Sequence, residues 1–422
     1  MDKFIVESGV ALKGIVRISG SKNAALPIMA ACLLTEESCR IKDVPALADI
    51  NTMAEILRSL GAIVERDKDD LLIEAKTIKS TIAEYRLVST MRGSFCVLGP
   101  LLARCKTARV AYPGGCSIGV RPVDLHIKGL EAIGAKINIQ KGYVVAEARK
   151  LVGTHLFLGG LFGSSVLATA NVMTAAVLAS GKTVIESAAC EPEVEDLGNF
   201  LNKMGARIKG HGTPRIEIIG VEKLRGAEHQ IIPDRIEAAT FMIAALITNG
   251  NIEINNVIPE HLIAVTEVLS QAGGDIVVSA NSIKISLKNK IKAVSTVALP
   301  YPGFPTDVQA QIMSLMTVAD GMCVVTDKIF PDRFLHLAEL LRMGAHIQKE
   351  GSSAMIHGVN SLSGAEVMAS DLRASACLVL AGLVAKGRTT INRIYHLDRG
   401  YENLDLKLQK LGAKIKRIKT NC

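Results

Sequence analysis

The sequence predicts an α/β protein of two domains, each made of three copies of one unit wrapped around buried helices. Three observations carry this. A chain of 422 residues exceeds what one hydrophobic core usually fills. A glycine-ended helix signal recurs six times at near-constant spacing, and a second, almost wholly apolar helix recurs with the same period.

The first series reads SLGAIV, AIGAKI, KMGARI, QAGGDI, RMGAHI and KLGAKI. Its glycines, Gly61, Gly134, Gly205, Gly273, Gly344 and Gly412, lie 73, 71, 68, 71 and 68 residues apart. Each follows an amphipathic stretch such as VDLHIKGLEAI and precedes an alternating segment such as AKINIQ. A glycine there ends a helix in the left-handed conformation, and the alternation after it predicts a strand.

The second series reads SKNAALPIMAACLL, TMRGSFCVLGPLLA, SSVLATANVMTAAVLA, PDRIEAATFMIAALI, PTDVQAQIMSLMTVA and SDLRASACLVLAGLVA. A helix apolar on every side must be buried on every side. The opening polar residues Lys22, Arg92, Ser165, Arg235, Asp307 and Arg373 are spaced by 70, 73, 70, 72 and 66 residues. The amphipathic helices then lie between this core and solvent-facing strands. A halfway break falls at HQIIPDR, residues 229–235.

Apolar residues make up 49% of the chain, yet no apolar run approaches the roughly 20 residues of a membrane span. The opening MDKFIVESGV lacks a basic segment followed by an apolar one, so no signal peptide is expected. Nine cysteines with no Cys-x-x-Cys pair argue against a disulfide framework and a zinc site, and for a reducing cytoplasm. The formal charge is +8, but Trp is absent, aromatics are 4%, and the basic residues are dispersed. That balance favours a focused anion site over a nucleic-acid surface.

Equivalent buried helices point the same way, so their N-termini, with their partial positive charge and unpaired N–H groups, gather at one end of each domain. Lys22, Arg92, Arg235 and Arg373 stand at these starts. Arg121 in GVRPVD, Arg333 in FPDRF and Arg399 in LDRGYE stand at or just before amphipathic helices. A cation in a first turn opposes the helix dipole, so seven in phase indicate a cleft for a multiply charged anion. Residue by residue, pairing with the neighbouring acids of PDR, LDR and SDLR remains open. Asp307, after Pro-Thr, reads from spacing alone as a helix cap. Cys116, in YPGGCSIGVRPVD, lies among glycines beside Arg121 and a helix start, a setting that favours thiolate.

The stretches ISGSKNAALPIMA, YPGGCSIGVRPVDLH, EPEVEDL, PDRIEAATF, FPTDVQAQ, DLRASACLVLAG and RIYHLDRGYE resemble the UDP-N-acetylglucosamine enolpyruvyltransferase family, almost end to end. The resemblance implies two inside-out α/β barrel-like domains, each of three βαβαββ repeats. It places the first domain at 22–232 and the second at 1–21 with 233–422, with hinges near 19–22 and 229–235. It implies transfer of the enolpyruvyl group of phosphoenolpyruvate to the 3′-hydroxyl of UDP-N-acetylglucosamine, the first committed step of peptidoglycan synthesis, with no cofactor or metal. By the same resemblance Cys116 is the proton donor, can form an adduct with phosphoenolpyruvate, and is the residue fosfomycin alkylates. Asp307 is the base for the sugar hydroxyl, displacing the cap reading, and Lys22, Arg121 and Arg399 contact the phosphoenolpyruvate phosphate. Arg92, Arg333 and Arg373 line the anion cleft, while Asn23, Asp124, Ser165, Val166 and Ile329 fall on nucleotide-sugar positions. Two departures stand out in LFGSSVLAT: Gly163 near a position where several members carry lysine, and Leu167 in place of glycine. A 3-phosphoshikimate enolpyruvyltransferase and a non-catalytic UDP-sugar-binding paralogue are the alternatives, and the oligomeric state is open.

Overall fold

The computed structural model describes residues 2–113 and 123–419. Cys116 and Arg121 therefore lie outside the described residues.

All six repeat glycines take left-handed backbone, with φ between 87° and 109°. Gly61 shows the mechanism: its N–H donates to the carbonyls of Leu57 and Arg58, closing the helix Ala48–Leu60, and the strand Ile63–Asp67 follows. That helix buries Ile50, Met53, Leu57 and Leu60 and leaves Asn51 and Glu55 exposed, as an amphipathic surface helix should.

The apolar series forms the helices Lys22–Ala31, Leu98–Cys105, Val166–Ala176, Arg235–Ile247, Gln309–Met316 and Leu372–Gly382, buried along most of their lengths. Two of them begin differently from expectation. The 3₁₀ turns Arg92–Val97 and Thr306–Val308 precede Leu98–Cys105 and Gln309–Met316, so Arg92 and Asp307 stand on 3₁₀ backbone. In the first case the Ser94 hydroxyl bonds back to the carbonyls of Val88 and Met91, competing with regular helical pairing.

Six four-stranded sheets complete the units, and among the described residues none closes on itself. Each combines one parallel pair with two antiparallel pairings. In one, Ile82–Ala83 runs parallel to Thr107–Ala111, which pairs antiparallel with Tyr143–Glu147, itself antiparallel to Lys136–Gln140. The register there matches Ile82 with Arg109, Thr107 with Glu147, and Lys136 with Glu147.

Three sheets borrow strands from distant sequence. Glu228–Gln230 joins Cys39–Lys42 in parallel, with Glu228 opposite Arg40. Lys13–Arg17 joins Asn251–Asn255 in parallel, and Lys3–Glu7 lies antiparallel between Arg388–Asn392 and Lys414–Ile418. These exchanges define two compact units, and the chain passes between them after Ser19 and after Ile232. The first unit contains described residues 20–113 and 123–232, and the second contains 2–19 and 233–419. Each has its own apolar core. At the first passage only glycine fits, because a Cβ on Gly20 would lie 2.0 Å from the Asp43 carbonyl oxygen. No described helix is long and apolar enough to cross a membrane.

Candidate functional site

In the second unit, Asp307 is not a cap. Its turn is preceded by Pro305, and no side chain caps it. The carboxylate instead accepts from two guanidiniums: Oδ1 lies 2.7 Å from Arg333 Nη1, and Oδ2 lies 3.0 Å from Arg373 Nη2. Arg333 and Arg373 are both buried, at 5% and 2% exposure. Burial pushes the Asp307 pKa up, but the charges and hydrogen bonds of Arg373 and Arg333 outweigh it and hold the carboxyl well below the usual aspartate range.

Two guanidiniums thus converge on one carboxylate, a concentration of donors and positive charge suited to an anionic ligand. Among the described residues, the guanidinium nitrogens Arg333 Nε, Arg373 Nε and Arg373 Nη1 make no hydrogen bond. Arg373 lies over the Tyr401 ring, 5.3 Å from its centroid. Thr306 Oγ1 accepts from Arg333 Nη1 at 3.0 Å and donates to Asp327 Oδ2 at 2.6 Å. The other Asp327 oxygen accepts the N–H groups of Ile329 and Phe330, at 2.9 and 2.8 Å. Ile329 is thereby tied to the same cluster. Arg399 ends the 3₁₀ turn Ile394–Arg399; burial, and then the charge of Arg399, hold the His396 imidazole below its ordinary pKa. Arg235 opens its helix and stacks on Tyr301 at 5.6 Å.

The neighbouring acids have other partners. Asp234 and Asp371 cap their own helices, accepting from Ile236 and Glu237, and from Arg373 and Ala374. Asp398 binds Arg417 through both oxygens, at 2.9 and 2.7 Å. Arg333 and Arg373 thus reach across the fold to Asp307.

In the first unit, Lys22 is the first residue of a helix capped by Ser21, whose Oγ accepts from Ala24 N. Its Nζ lies 2.9 Å from Asp49 Oδ2, with both side chains buried. Asp49 was not a sequence candidate; the signal for it was the need of a buried lysine for a counter-charge, met here by an acid in the first turn of the next helix. Asn23 is half-buried beside Lys22. Burial, and then the charge of Arg92, push the His126 pKa down to about 3, so the ring is neutral, and its Nδ1 accepts from Asn171 Nδ2 at 2.9 Å. Ser165 Oγ accepts from Ala168 N at 3.3 Å, capping the helix that Val166 begins. Asp124 is exposed at the first position of Asp124–Ala132. Gly163 has φ 90° in a turn clamped by Gly160 N–H to Gly163 O at 2.9 Å and the reverse bond at 3.1 Å.

The second unit therefore brings Asp307, Arg333 and Arg373 into direct contact and ties Ile329 to them. In the first unit the described contacts of Lys22 and Ser165 are to Asp49 and to their own helix. Among the described residues, no three His, Cys, Asp or Glu side chains converge as a metal ion would require.

The comparisons with known proteins bear on this arrangement. A family model described as EPSP synthase (3-phosphoshikimate 1-carboxyvinyltransferase) matches residues 6–408. A protein of Caldanaerobacter subterraneus subsp. tengcongensis named UDP-N-acetylglucosamine 1-carboxyvinyltransferase 1 is 54% identical over 98% of this chain and 99% of its own. A Proteus mirabilis protein named UDP-N-acetylglucosamine 1-carboxyvinyltransferase is 51% identical over the full length of both chains. Among solved structures, the enolpyruvyl transferase NikO from Streptomyces tendae superposes with a TM-score of 0.89 at 24% identity, covering 99% of this chain and 98% of that one. EPSP synthase from Acinetobacter baumannii gives 0.76 at 21% identity, covering 99% of this chain and 100% of that one. The two structures establish the fold, and the full-length relatives establish the kinship: the chain belongs to the enolpyruvyltransferase family, among the UDP-N-acetylglucosamine 1-carboxyvinyltransferases.

Proposed function

We propose that the protein transfers the enolpyruvyl group of phosphoenolpyruvate to the 3′-hydroxyl of UDP-N-acetylglucosamine and releases phosphate, the first committed step of bacterial peptidoglycan synthesis. The observation that carries this reading is identity above 50% along the whole chain to proteins named for that reaction. The two buried guanidiniums that converge on Asp307 support it chemically, since both substrates are anions.

The reaction is an addition followed by an elimination. The sugar oxygen bonds to C2 of phosphoenolpyruvate while C3 gains a proton; the C2–O bond to phosphate then breaks and C3 returns a proton. Cys116 donates the proton to C3, and Asp307 takes the proton of the sugar hydroxyl. Clasped by two guanidiniums, Asp307 is a weak base; an anion that draws Arg333 and Arg373 toward itself raises its basicity when substrate is present. Lys22, Arg121 and Arg399 hold the phosphoenolpyruvate phosphate, with Arg92, Arg333 and Arg373 supplying further positive charge. Asn23, Asp124, Ser165, Val166 and Ile329 take the nucleotide sugar. Residues 22–232 act as one catalytic domain and 1–21 with 233–422 as the other, with 19–22 and 229–235 as hinges. The enzyme works in the cytoplasm, a reading supported by the seven described cysteines all being free thiols.

Phosphate release with phosphoenolpyruvate and each acceptor tests the proposal. Turnover is expected with UDP-N-acetylglucosamine, and activity with shikimate 3-phosphate alone would refute it. Cys116→Ser should abolish turnover while leaving the thermal melt unchanged, and fosfomycin should label the peptide that carries Cys116. Near-normal turnover of that variant, or label on another peptide, would remove the assigned acid.

A further inference from the structure

Tyr401 is 1% exposed, yet it carries a hydroxyl into the core of the second unit. A phenylalanine would fill that volume without a polar atom to satisfy. The hydroxyl is bonded to Thr240 Oγ1 at 2.8 Å and to Gln311 Nε2 at 3.0 Å. Thr240 has one hydroxyl proton, and it donates to the Ile236 carbonyl at 2.8 Å. Tyr401 therefore donates to Thr240 and accepts from Gln311, which fixes the direction of the chain. Gln311 Nε2 also donates to the Asp307 carbonyl at 2.9 Å.

The ring performs a second task, lying beneath the Arg373 guanidinium, whose Nη2 binds Asp307. The backbone performs a third. The N–H groups of Gly400 and Tyr401 both reach the Leu397 carbonyl at 3.0 Å, making a tight bend that carries Arg399. Gly400 approaches Leu372, the residue before Arg373, so closely that a Cβ would lie 2.6 Å from Leu372 Cδ2.

We propose, resting on the function assigned above, that Tyr401 is a positioning residue for enolpyruvyl transfer: it holds Asp307, Arg373 and the Arg399 turn as one body. Its hydroxyl sets the backbone of the base, its ring sets the arginine that clasps the base, and the bend it closes carries, two residues back, the phosphate-binding arginine.

Full-length Tyr401→Phe and Tyr401→Leu test this with steady-state kinetics on phosphoenolpyruvate and UDP-N-acetylglucosamine. Tyr401→Phe should lower kcat about tenfold, the factor set by roughly 1.4 kcal/mol of lost positioning, and leave the KM for UDP-N-acetylglucosamine within about twofold. Tyr401→Leu should in addition raise the KM for phosphoenolpyruvate. Thr240→Val breaks the same chain, so combining it with Tyr401→Phe should cost no more than the larger single loss. Unchanged kcat in Tyr401→Phe, or losses that multiply in the pair, would overturn the inference.

A wild-type protein that does not turn over these substrates would refute the functional reading instead. The positioning role is then read from a crystal structure of Tyr401→Leu, in which Arg373 should leave Asp307; a pair still at hydrogen-bond distance overturns it.

Discussion

Asp307 shares one carboxylate between two buried guanidiniums, so its removal strands both. Asp307→Asn should cut turnover by about a hundredfold or more, the usual worth of a general base. It should also destabilise the fold by about 3–5 kcal/mol, the typical loss on breaking a buried ion pair. UDP-N-acetylglucosamine affinity by calorimetry should change far less than kcat; an effect confined to binding would contradict the assigned role. The residue was legible as a polar helix start in phase with five others, but its partners were not. Arg373 lies 66 residues away in sequence, and nothing local marks that pairing. The same holds for Asp49 beneath Lys22 and for Tyr401 beneath Arg373, which come together only once the elements of one repeat are packed against each other.

Helices in the first unit meet at close range where side chains are small. A Cβ on Gly99 would lie 2.3 Å from the Asn171 carbonyl oxygen and 2.6 Å from Thr174 Oγ1. Gly99 N–H also donates to Asn171 Oδ1 at 2.8 Å, pinning Leu98–Cys105 to Val166–Ala176. Gly99→Ala should therefore cost about 1–3 kcal/mol by overpacking, despite the better helix propensity of alanine. Urea unfolding should show a lower midpoint with an unchanged slope. At this scale the sequence was most readable: glycine caps and all-apolar helices are local signals, and every one of the six glycines carries the expected backbone. The failures were non-local or fine-grained. Pairing of Glu228–Gln230 with Cys39–Lys42 has no local signature, and the 3₁₀ starts at Arg92 and Thr306 depend on hydroxyl and proline chemistry that periodicity does not report.

Across the whole molecule, His126 and His336 are buried neutral histidines at equivalent places in the two units. His126 precedes Gly134 by 8 residues, and His336 precedes Gly344 by 8. Burial is the main cause in both, followed for His126 by Arg92; the pKa values fall to about 3 and about 4. For His336 the Arg333 charge pushes down and Asp371 pushes back. The unfolded chain, with histidine near 6.5, binds these protons more readily than the folded one. The stability they allow is complete above about pH 6.5 and is lost as pH falls toward 4 and 3. Asp307, depressed instead, withdraws its contribution only below the ordinary aspartate pKa, near 3.8, so the histidines govern the window above it. At about 1.4 kcal/mol per pKa unit, urea unfolding free energy should fall by a few kcal/mol from pH 7.5 to 4.5. His126→Gln should flatten that slope; an unchanged slope would rule the histidine out.

The strand Lys3–Glu7 has both of its neighbours at the far end of the chain, in Arg388–Asn392 and Lys414–Ile418. On the ribosome it therefore emerges some four hundred residues before its second partner, which at roughly 5–20 residues per second is tens of seconds. Through that interval its backbone donors and acceptors are open to any passing nascent chain. Only five residues long and bearing Lys3 and Glu7 at its tips, it is a poor template for such mispairing.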